Sequence, residues 1–235
     1  MSTPPPAIAI RNLRFAWPGG APLLRIDDFR VEAGERVFLA GPSGSGKSTL
    51  LGLIAGVIAP QAGEVETLGW PMHAMKAEAR DALRGARLGV IFQLFNLLPY
   101  LSPVENVLLA TRFSPERAKA ARSTGQGAVA EARRLLARLG IEGETLKRSS
   151  VTLSVGQQQR VAAARALIGS PGLVIADEPT SALDTESRKA FIALLQEESA
   201  KSGAALLFVS HDRALAESFD RVVDLREINA EGAAA

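Results

Sequence analysis

The fold of this chain is decided by the stretch Val37-Phe38-Leu39-Ala40-Gly41-Pro42-Ser43-Gly44-Ser45-Gly46-Lys47-Ser48-Thr49. From Gly41 it fits the pattern G-x-x-x-x-G-K-[ST], whose glycines let backbone N–H groups surround phosphates while the lysine reaches the β and γ oxygens. The apolar residues before the loop predict a buried strand, and residues 48–58 after it predict a buried helix. Strand, phosphate loop and helix in this order predict a nucleoside triphosphate site of the P-loop NTPase class.

The composition restricts the classes of protein that remain. With 235 residues, 47% of them hydrophobic, the chain is long enough for one sizeable core with an inserted subdomain. The absence of cysteine excludes disulfide bridges and cysteine-based metal or nucleophile sites. No apolar run approaches the ~18 to 20 residues of a membrane-spanning helix. A net charge of +2 is too balanced to indicate a nucleic-acid partner, and the N-terminus lacks the features of a signal peptide, so we expect a cytoplasmic protein.

The rest of the chain predicts an α/β fold around the phosphate loop. Two N-terminal runs separated by a turn signal predict an antiparallel β piece, and later apolar runs have the length of buried parallel strands. The predicted strands are 8–17, 24–31, 37–40, 88–92, 173–176 and 205–209, and the predicted helices are 48–58, 103–111, 127–139, 157–167 and 186–201. We therefore predict an α/β nucleotide-binding core with an N-terminal antiparallel β subdomain and an inserted helical subdomain.

These elements predict a single domain over residues 7–228. The β subdomain and the nucleotide-binding core take up 7–92 and 160–228, the helical insertion takes up 93–159, and 1–6 and 229–235 are expected to be flexible tails.

Two adjacent carboxylates follow the apolar run 173–176. Ligands of parallel α/β sheets bind at the carboxyl ends of the strands, so Asp177 is expected to hold Mg²⁺. Glu178 is expected to polarise an attacking water, with Pro179 keeping it extended. A solvated acidic pair that merely ends a strand is the alternative, and the phosphate loop upstream argues against it.

A second motif, Leu153-Ser154-Val155-Gly156-Gln157-Gln158-Gln159-Arg160, combines a hydroxyl and a glycine with the start of a helix. A helix N-terminus of this kind can bind an anion, which predicts a second phosphate-binding element. Taken alone, the same residues would be no more than a helix cap.

The chain resembles the ATP-binding cassette (ABC) ATPases, with a RecA-like core, over about residues 7 to 226. The resemblance rests on the type and order of six features: the phosphate loop, Gln93, the second motif, the acidic pair, Ser181-Ala182-Leu183-Asp184 and His211. The resemblance implies that Gln93 contacts Mg²⁺ and water and senses a transporter. It also implies that Asp184 joins two subunits' sites and that His211 holds the γ-phosphate. Each residue has an alternative without a catalytic role: Gln93 would be an ordinary amide at the end of a strand, and His211 would be a residue of a capped turn. The family usually has glycine where this chain has Val155.

Trp17 matches the aromatic residue that stacks on adenine in this family, and a π-face against a flat base is a sound physical role. Core packing is the alternative, with Phe15 as the rival aromatic residue. The predicted catalytic residues are Glu178, His211, Gln93 and Lys47, and the predicted Mg²⁺ ligands are Ser48, Gln93 and Asp177. The predicted ATP-binding residues are Trp17, Gly41, Ser43, Gly44, Ser45, Gly46, Lys47, Ser48, Thr49, Gln93, Ser154, Gly156, Gln157 and Asp184.

The resemblance implies partners as well as a site. In the family the second motif, called the signature, binds ATP held by the opposite subunit, which predicts an ATP-dependent homodimer or a dimer with a similar subunit. The apolar stretch 94–101 predicts a groove for an integral membrane transporter subunit, with core packing as the alternative. Basic residues of the helical region are interpreted as a solvated face, with contact to anionic lipid as the alternative: Arg112, Arg117, Lys119, Arg122, Arg133, Arg134 and Arg138.

We therefore predict a transport-coupled ATPase at the inner face of the cell membrane. The motifs around Gln93 and Ser154 look most like those of the lipoprotein-release and macrolide-export ATPases, which favours mechanical export. An importer's ATPase subunit is the first alternative, and an ABC ATPase that acts on ribosomes or DNA is the second.

Overall fold

The structure is a computed structural model that describes residues 4–123, 125–181 and 183–231. Residues 1–3 and 232–235 of the predicted tails lie outside the described residues, as does Ala182 of the predicted motif 181–184.

The element bounds are as follows. The strands are β1 (Ile8–Ala16), β2 (Pro22–Val31), β3 (Arg36–Ala40), β4 (Ala62–Thr67), β5 (Trp70–Pro71), β6 (Leu88–Ile91), β7 (Leu173–Asp177), β8 (Ala205–Val209) and β9 (Arg221–Asp224). The α-helices are α1 (Lys47–Ile54), α2 (Ala77–Arg87), α3 (Pro103–Arg112), α4 (Pro115–Arg122), α5 (Ala128–Arg138), α6 (Val155–Leu167), α7 (Thr185–Lys201) and α8 (Leu225–Ile228). Short 3₁₀ turns occupy Gly143–Lys147, Ser150–Thr152 and Arg213–Ser218.

The chain forms two compact units, the first comprising residues up to Arg84 and from Ala205 onward. In this unit β1 pairs antiparallel with β2 and β4, and β3 pairs parallel with β8 and β9. Phe38 of β3 lies opposite Phe208 of β8, and the two rings stack at 6.0 Å. Phe219 packs against both rings, so an aromatic cluster anchors the strand that leads into the phosphate loop.

The second unit spans residues 85–204. Here β6 and β7 pair parallel, with Leu88 opposite Leu173. Helix α6 packs closely on β6, since a Cβ at Gly89 would lie 2.4 Å from the Ala166 carbonyl oxygen. This close approach explains why a residue without a side chain stands in the middle of a buried strand.

The end of the first helix and part of the C-terminal tail differ from their predictions. Helix α1 stops at Ile54 and not at 58, because Gly56 adopts a left-handed φ of 70° just beyond the helix end. At the C-terminus, Asn229 is buried, and its side-chain amide pairs with β2 by accepting from Arg25 N (2.8 Å) and donating to Leu23 O (3.0 Å). The prediction of a flexible tail is therefore wrong at Asn229.

Within the described ranges, no helix has the length and apolar character needed to cross a membrane.

Candidate functional site

The phosphate loop joins β3 to α1. Gly46 precedes the helix with a φ of 95°, a conformation that glycine adopts without strain, and no side chain caps the first turn of the helix. That turn also contains no acidic residue. Its backbone N–H groups and the helix dipole therefore suit an anion.

Lys47 is buried in this loop, and its ammonium group donates to the carbonyl oxygens of Gly41 and Pro42, both at 2.7 Å. Two of its three N–H donors are thus satisfied by the loop itself. The Ser45 hydroxyl is buried beside it without a hydrogen-bond partner. A Cβ at Gly41 would lie only 2.9 Å from that hydroxyl, so the loop is closed tightly around an unsatisfied hydroxyl group. These features fit a phosphate group.

Trp17 follows β1 directly and is 49% exposed. Its ring meets the buried Phe15 edge to face at 5.2 Å, so Phe15 is the core residue of the pair and Trp17 lies at the surface. The preceding Ala16 is fixed by Gln61, which accepts from Ala16 N (2.7 Å) and donates to Ala16 O (2.9 Å). Sequence reasoning missed Gln61, because nothing in the pattern links it to β1.

His211 lies just after β8 and is exposed. The turn that presents it is ordered by the buried Ser210, whose hydroxyl accepts from Asp212 N at 3.1 Å. Asp212 in turn caps the following 3₁₀ turn by accepting from Ala214 N. The turn therefore places an accessible imidazole at the carboxyl end of β8, a strand of the first unit.

In the second unit, Asp177 ends β7 and Glu178 follows it. Glu178 has a φ of 48°, so the prediction that Pro179 keeps it extended is wrong. The residue opens a turn in which Ser181 N donates to Glu178 O at 3.3 Å. Strained backbone of this kind is concentrated at functional sites.

The signature forms the N-terminus of α6. Ser154 and Gln157 make a reciprocal capping box: Gln157 N donates to Ser154 Oγ (3.2 Å), and Ser154 N donates to Gln157 Oε1 (3.0 Å). Val155, the departure from the family pattern, is the first residue of the helix and is 55% exposed. Gly156 faces Leu183, since a Cβ there would lie 3.1 Å from a Leu183 methyl group.

Asp184 caps the N-terminus of α7. It accepts from Ser187 N (2.9 Å) and from the Ser187 hydroxyl (2.7 Å). These hydrogen bonds, the backbone one foremost, hold the pKa of Asp184 below its usual value. The contact between Gly156 and Leu183 brings the signature beside the residue that precedes Asp184.

Gln93 follows β6 and is exposed, as are most side chains of the loop 92–101. Leu94 is 84% exposed and Tyr100 is 72% exposed. The alternative that these two residues fill a core of this chain is therefore wrong.

Two residues that sequence reasoning missed anchor this loop. The guanidinium group of Arg165 donates to Asn96 O (2.6 Å) and Phe95 O (2.5 Å). The buried Asn106 accepts from Leu98 N (2.8 Å) and donates to Leu98 O (3.0 Å). Neither role has a signal in the sequence, because both depend on a loop conformation that the pattern does not predict.

The basic residues of the helical region do not all form a solvated face. Arg117 is buried and donates to Ala166 O at 2.5 Å, and burial lowers its pKa to about 10. Arg134 bonds Glu131 and Glu198, and Arg138 bonds Glu197. The solvated-face interpretation is therefore wrong for Arg117, and the other two belong to a charge network.

The comparisons with known proteins agree on one family. The ABC transporter family matches residues 24–181 of this chain. The lipoprotein-releasing system ATP-binding protein LolD of Anaeromyxobacter dehalogenans is 42% identical over 217 residues, which are 92% of this chain and 87% of that protein. The uncharacterised ABC transporter ATP-binding protein YbbA of Escherichia coli K12 is 41% identical, with 83% of this chain and 82% of that protein covered.

A solved structure extends the likeness to the whole fold. It is a dimeric, post-hydrolysis structure of the ATP-binding cassette MJ0796 bound to ADP and Pi, with a TM-score of 0.81 and 30% identity. The match covers 92% of this chain and 93% of that one. The predicted family and its α/β P-loop fold are confirmed, and the chain belongs to the ABC transporter family as an ATP-binding cassette.

Proposed function

We propose that this chain is the ATP-hydrolysing subunit of a mechanical exporter that acts with an integral membrane partner, in the manner of the lipoprotein-release ATPases. The observation that carries the ATPase part is the phosphate loop, in which a buried ammonium group and an unpartnered hydroxyl lie at an uncapped helix N-terminus. Relatives named for lipoprotein release support the exporter part.

Within the site, Lys47 and the loop N–H groups would bind the β- and γ-phosphates, and Trp17 would stack on the adenine. Glu178 would accept a proton from the attacking water, and His211 would hold the γ-phosphate. Gly41, Ser43, Gly44, Ser45, Gly46 and Thr49 complete the proposed phosphate-binding loop.

The donor set also suits Mg²⁺. Ser48, Gln93 and Asp177 offer a hydroxyl, an amide and a carboxylate oxygen, which are hard ligands of the kind that Mg²⁺ prefers. Mg²⁺ commonly takes one or two protein ligands besides phosphate and water, so a dense cluster of acidic groups is not needed. When bound, the ion would neutralise charge on the phosphates.

We propose that two chains close head to tail on two ATP molecules. Each chain carries one phosphate loop and one signature, and Ser154, Gly156 and Gln157 would bind the ATP held by the partner, with Asp184 between the two sites. The dimeric cassette MJ0796 supports this arrangement. ATP would favour the closed dimer because its phosphates gain a second set of contacts there.

The exposed apolar loop 92–101 is the proposed contact with the membrane partner. Leu94 and Tyr100 expose apolar surface that a partner helix could cover. Such a contact would hold the cassette at the inner face of the membrane. We further propose that residues 93–159 form a helical insertion in a single domain over 7–228.

The ATPase assignment is tested with two substitutions. Glu178→Gln should abolish MgATP hydrolysis and retain ATP binding, because the amide cannot accept the proton but leaves the phosphate loop intact. Lys47→Ala should lose ATP binding, since it removes the buried cation. Steady-state hydrolysis and equilibrium binding of labelled ATP measure both effects.

The exposed Lys119→Ala is a matched control and should behave like the wild type. Unchanged hydrolysis by Glu178→Gln would contradict the general-base role. Tight ATP binding by Lys47→Ala would contradict the phosphate-loop assignment.

The partner class is tested by capture of tagged Glu178→Gln with MgATP from detergent-solubilised membranes, followed by mass spectrometry. A few-span membrane protein with a large extracytoplasmic domain would support the exporter proposal. A many-span permease would favour an importer, and ribosomal or nucleic-acid partners would exclude transport.

A further inference from the structure

The loop 92–101 contains an unusual backbone turn directly after Gln93. Phe95 and Asn96 have φ values of 56° and 49°, which side chains with a Cβ rarely adopt, and they are consecutive. Phe95 N donates to Phe92 O (3.0 Å), and Asn96 N donates to Leu94 O (2.6 Å). Two left-handed residues in a row persist only where their surroundings determine them.

Arg165 supplies that determinant. Its Nη1 donates to Asn96 O and its Nη2 to Phe95 O, so the two arms of one guanidinium group hold the carbonyl groups of both left-handed residues. The planar fork fixes the angle between the two carbonyl groups as well as their distance, which a point charge cannot do. Burial lowers the pKa of Arg165, and a desolvated guanidinium group depends strongly on the acceptors that it does find.

The position of Arg165 connects this turn to the signature. Ser154 caps the first turn of α6, and Arg165 lies in its last turn, about 15 Å along the helix axis. The other end of the loop is bonded to the residues just before α6, since Ser150 N donates to Leu101 O (2.9 Å) and Val151 N donates to Pro99 O (3.0 Å). Both ends of the loop are thus attached to the helix that carries the signature or to the segment leading into it.

We propose that Arg165 is a positioning residue: by holding the turn at Phe95 and Asn96 it fixes where Gln93 and Leu94 stand, and so links the signature helix to catalysis and to partner contact. The proposal rests on the functions proposed above for Gln93 and for the loop. Arg165 acts through the backbone of the loop.

A simpler role for Arg165 is that of a cation at a helix C-terminus, where a positive charge is favourable. Arg165→Lys separates the two roles, because lysine keeps the charge but lacks the fork. Lysine should restore the wild-type properties if charge alone matters, and it should behave like Arg165→Gln if the fork matters.

The chain has no cysteine, so a single Leu94→Cys variant can carry a nitroxide label at an exposed site of the loop. In an Arg165→Gln or Arg165→Lys background, the electron paramagnetic resonance spectrum should show a more mobile label than in the parent. Arg133→Gln, which removes an exposed arginine of α5, should leave the spectrum unchanged. Equal label mobility in the parent and in both Arg165 variants would overturn the proposal.

Hydrolysis gives the second readout, in the chain without the label. Both Arg165 variants should lower kcat for MgATP about tenfold, as loss of a residue that orients a metal-contacting side chain does. KM for ATP should change less than about twofold, because the phosphate loop still binds the nucleotide. A wild-type kcat in Arg165→Lys would overturn the proposal.

Thermal melting of each variant verifies folding, and Arg165→Lys carries the test if Arg165→Gln unfolds. The label readout needs no activity. Failure of the proposed function would show as an inactive wild type, whereas failure of this inference would show as an active wild type with equally active Arg165 variants or an unchanged spectrum.

Discussion

Asp224 is a buried carboxylate that ends β9 and caps α8. It accepts from Arg226 N (3.0 Å) and Arg226 Nη2 (2.8 Å) and also bonds Arg213. The hydrogen bond from the Arg226 side chain is the main reason that its pKa falls from 3.8 to about 2. A carboxylate with a lowered pKa stabilises the fold above pH 3.8, and this contribution is lost as the pH falls towards 2.

Asp224→Asn should therefore lower the free energy of unfolding at pH 7 by about 1 kcal/mol. The estimate is modest because both arginines are more than half exposed, so solvent screens the pair. Asparagine still caps a helix, so the loss isolates the charge. Urea unfolding at pH 7, 5 and 3 should show the difference between wild type and variant shrinking at pH 3. The exposed Asp27→Asn should cost less than about 0.5 kcal/mol, and a pH-independent difference for Asp224→Asn would contradict the ionic origin.

Single residues also show what a sequence pattern can predict about a site. The chemistry of Lys47 follows from the loop motif, since a lysine after a glycine-rich turn has few other roles. The φ of Glu178 could not be predicted, because a residue before proline locally prefers extended backbone, whereas Glu178 has a φ of 48° at the start of the turn to Ser181. The burial of Arg117 could not be predicted either. Its hydrogen-bond acceptor, Ala166 O, is distant in sequence, and the residues around Arg117 on its short polar helix do not indicate this contact.

Among the elements, α3 and α6 begin in the same way. Ser102 and Ser154 each cap their helix by accepting from the backbone N–H three residues on, and each closes a capping box with Glu105 or Gln157. The two caps should contribute alike to stability, while only the second is assigned to ATP. They are therefore a matched pair within one protein.

Ser102→Ala and Ser154→Ala should each lower the free energy of unfolding by about 1 kcal/mol, because each removes one capping acceptor. Only Ser154→Ala should also impair MgATP hydrolysis, by about tenfold or more, since it also removes the hydroxyl group that we propose binds the partner's ATP. Urea unfolding and steady-state hydrolysis of both variants provide the comparison. Equal hydrolysis in the two variants would mean that Ser154 is a cap and no more.

Whole elements were predicted where apolar residues are frequent and missed where they are few. The strand β8, all of whose residues are buried, coincides with the apolar run 205–209. Strand β4 was missed because its sequence AGEVET buries only Val65 and Thr67, and the hydroxyl of Thr67 is satisfied by donation to Ile54 O at 2.7 Å. Helix α2 was missed as well, because among its residues only Leu83 is buried. Tertiary contacts decide such segments, and local pattern does not.

At the scale of the whole molecule, one chain carries one phosphate loop and one signature, so the proposed dimer has two composite sites. In the proposed two-fold dimer, the phosphate loop of each chain would lie against the signature of the other. A composite site predicts that two inactive variants regain activity when they are mixed, whereas a site formed within one chain does not. Lys47→Ala disables the loop of a chain, Ser154→Ala disables the signature, and neither variant alone should retain an intact site.

Mixing the two variants in equal amounts should restore hydrolysis to about a quarter of the wild-type rate, because half of the dimers are mixed and each mixed dimer has one intact site of two. If the signature acted on the ATP of its own chain, the mixture would stay inactive, since each chain would still carry one defect. Mixing Lys47→Ala with the double variant Lys47→Ala/Ser154→Ala is the control and should restore nothing, as no chain then supplies an intact loop. Hydrolysis measured against the mixing ratio should peak near equal proportions, because the mixed dimer is most abundant there. A flat profile would exclude the composite site.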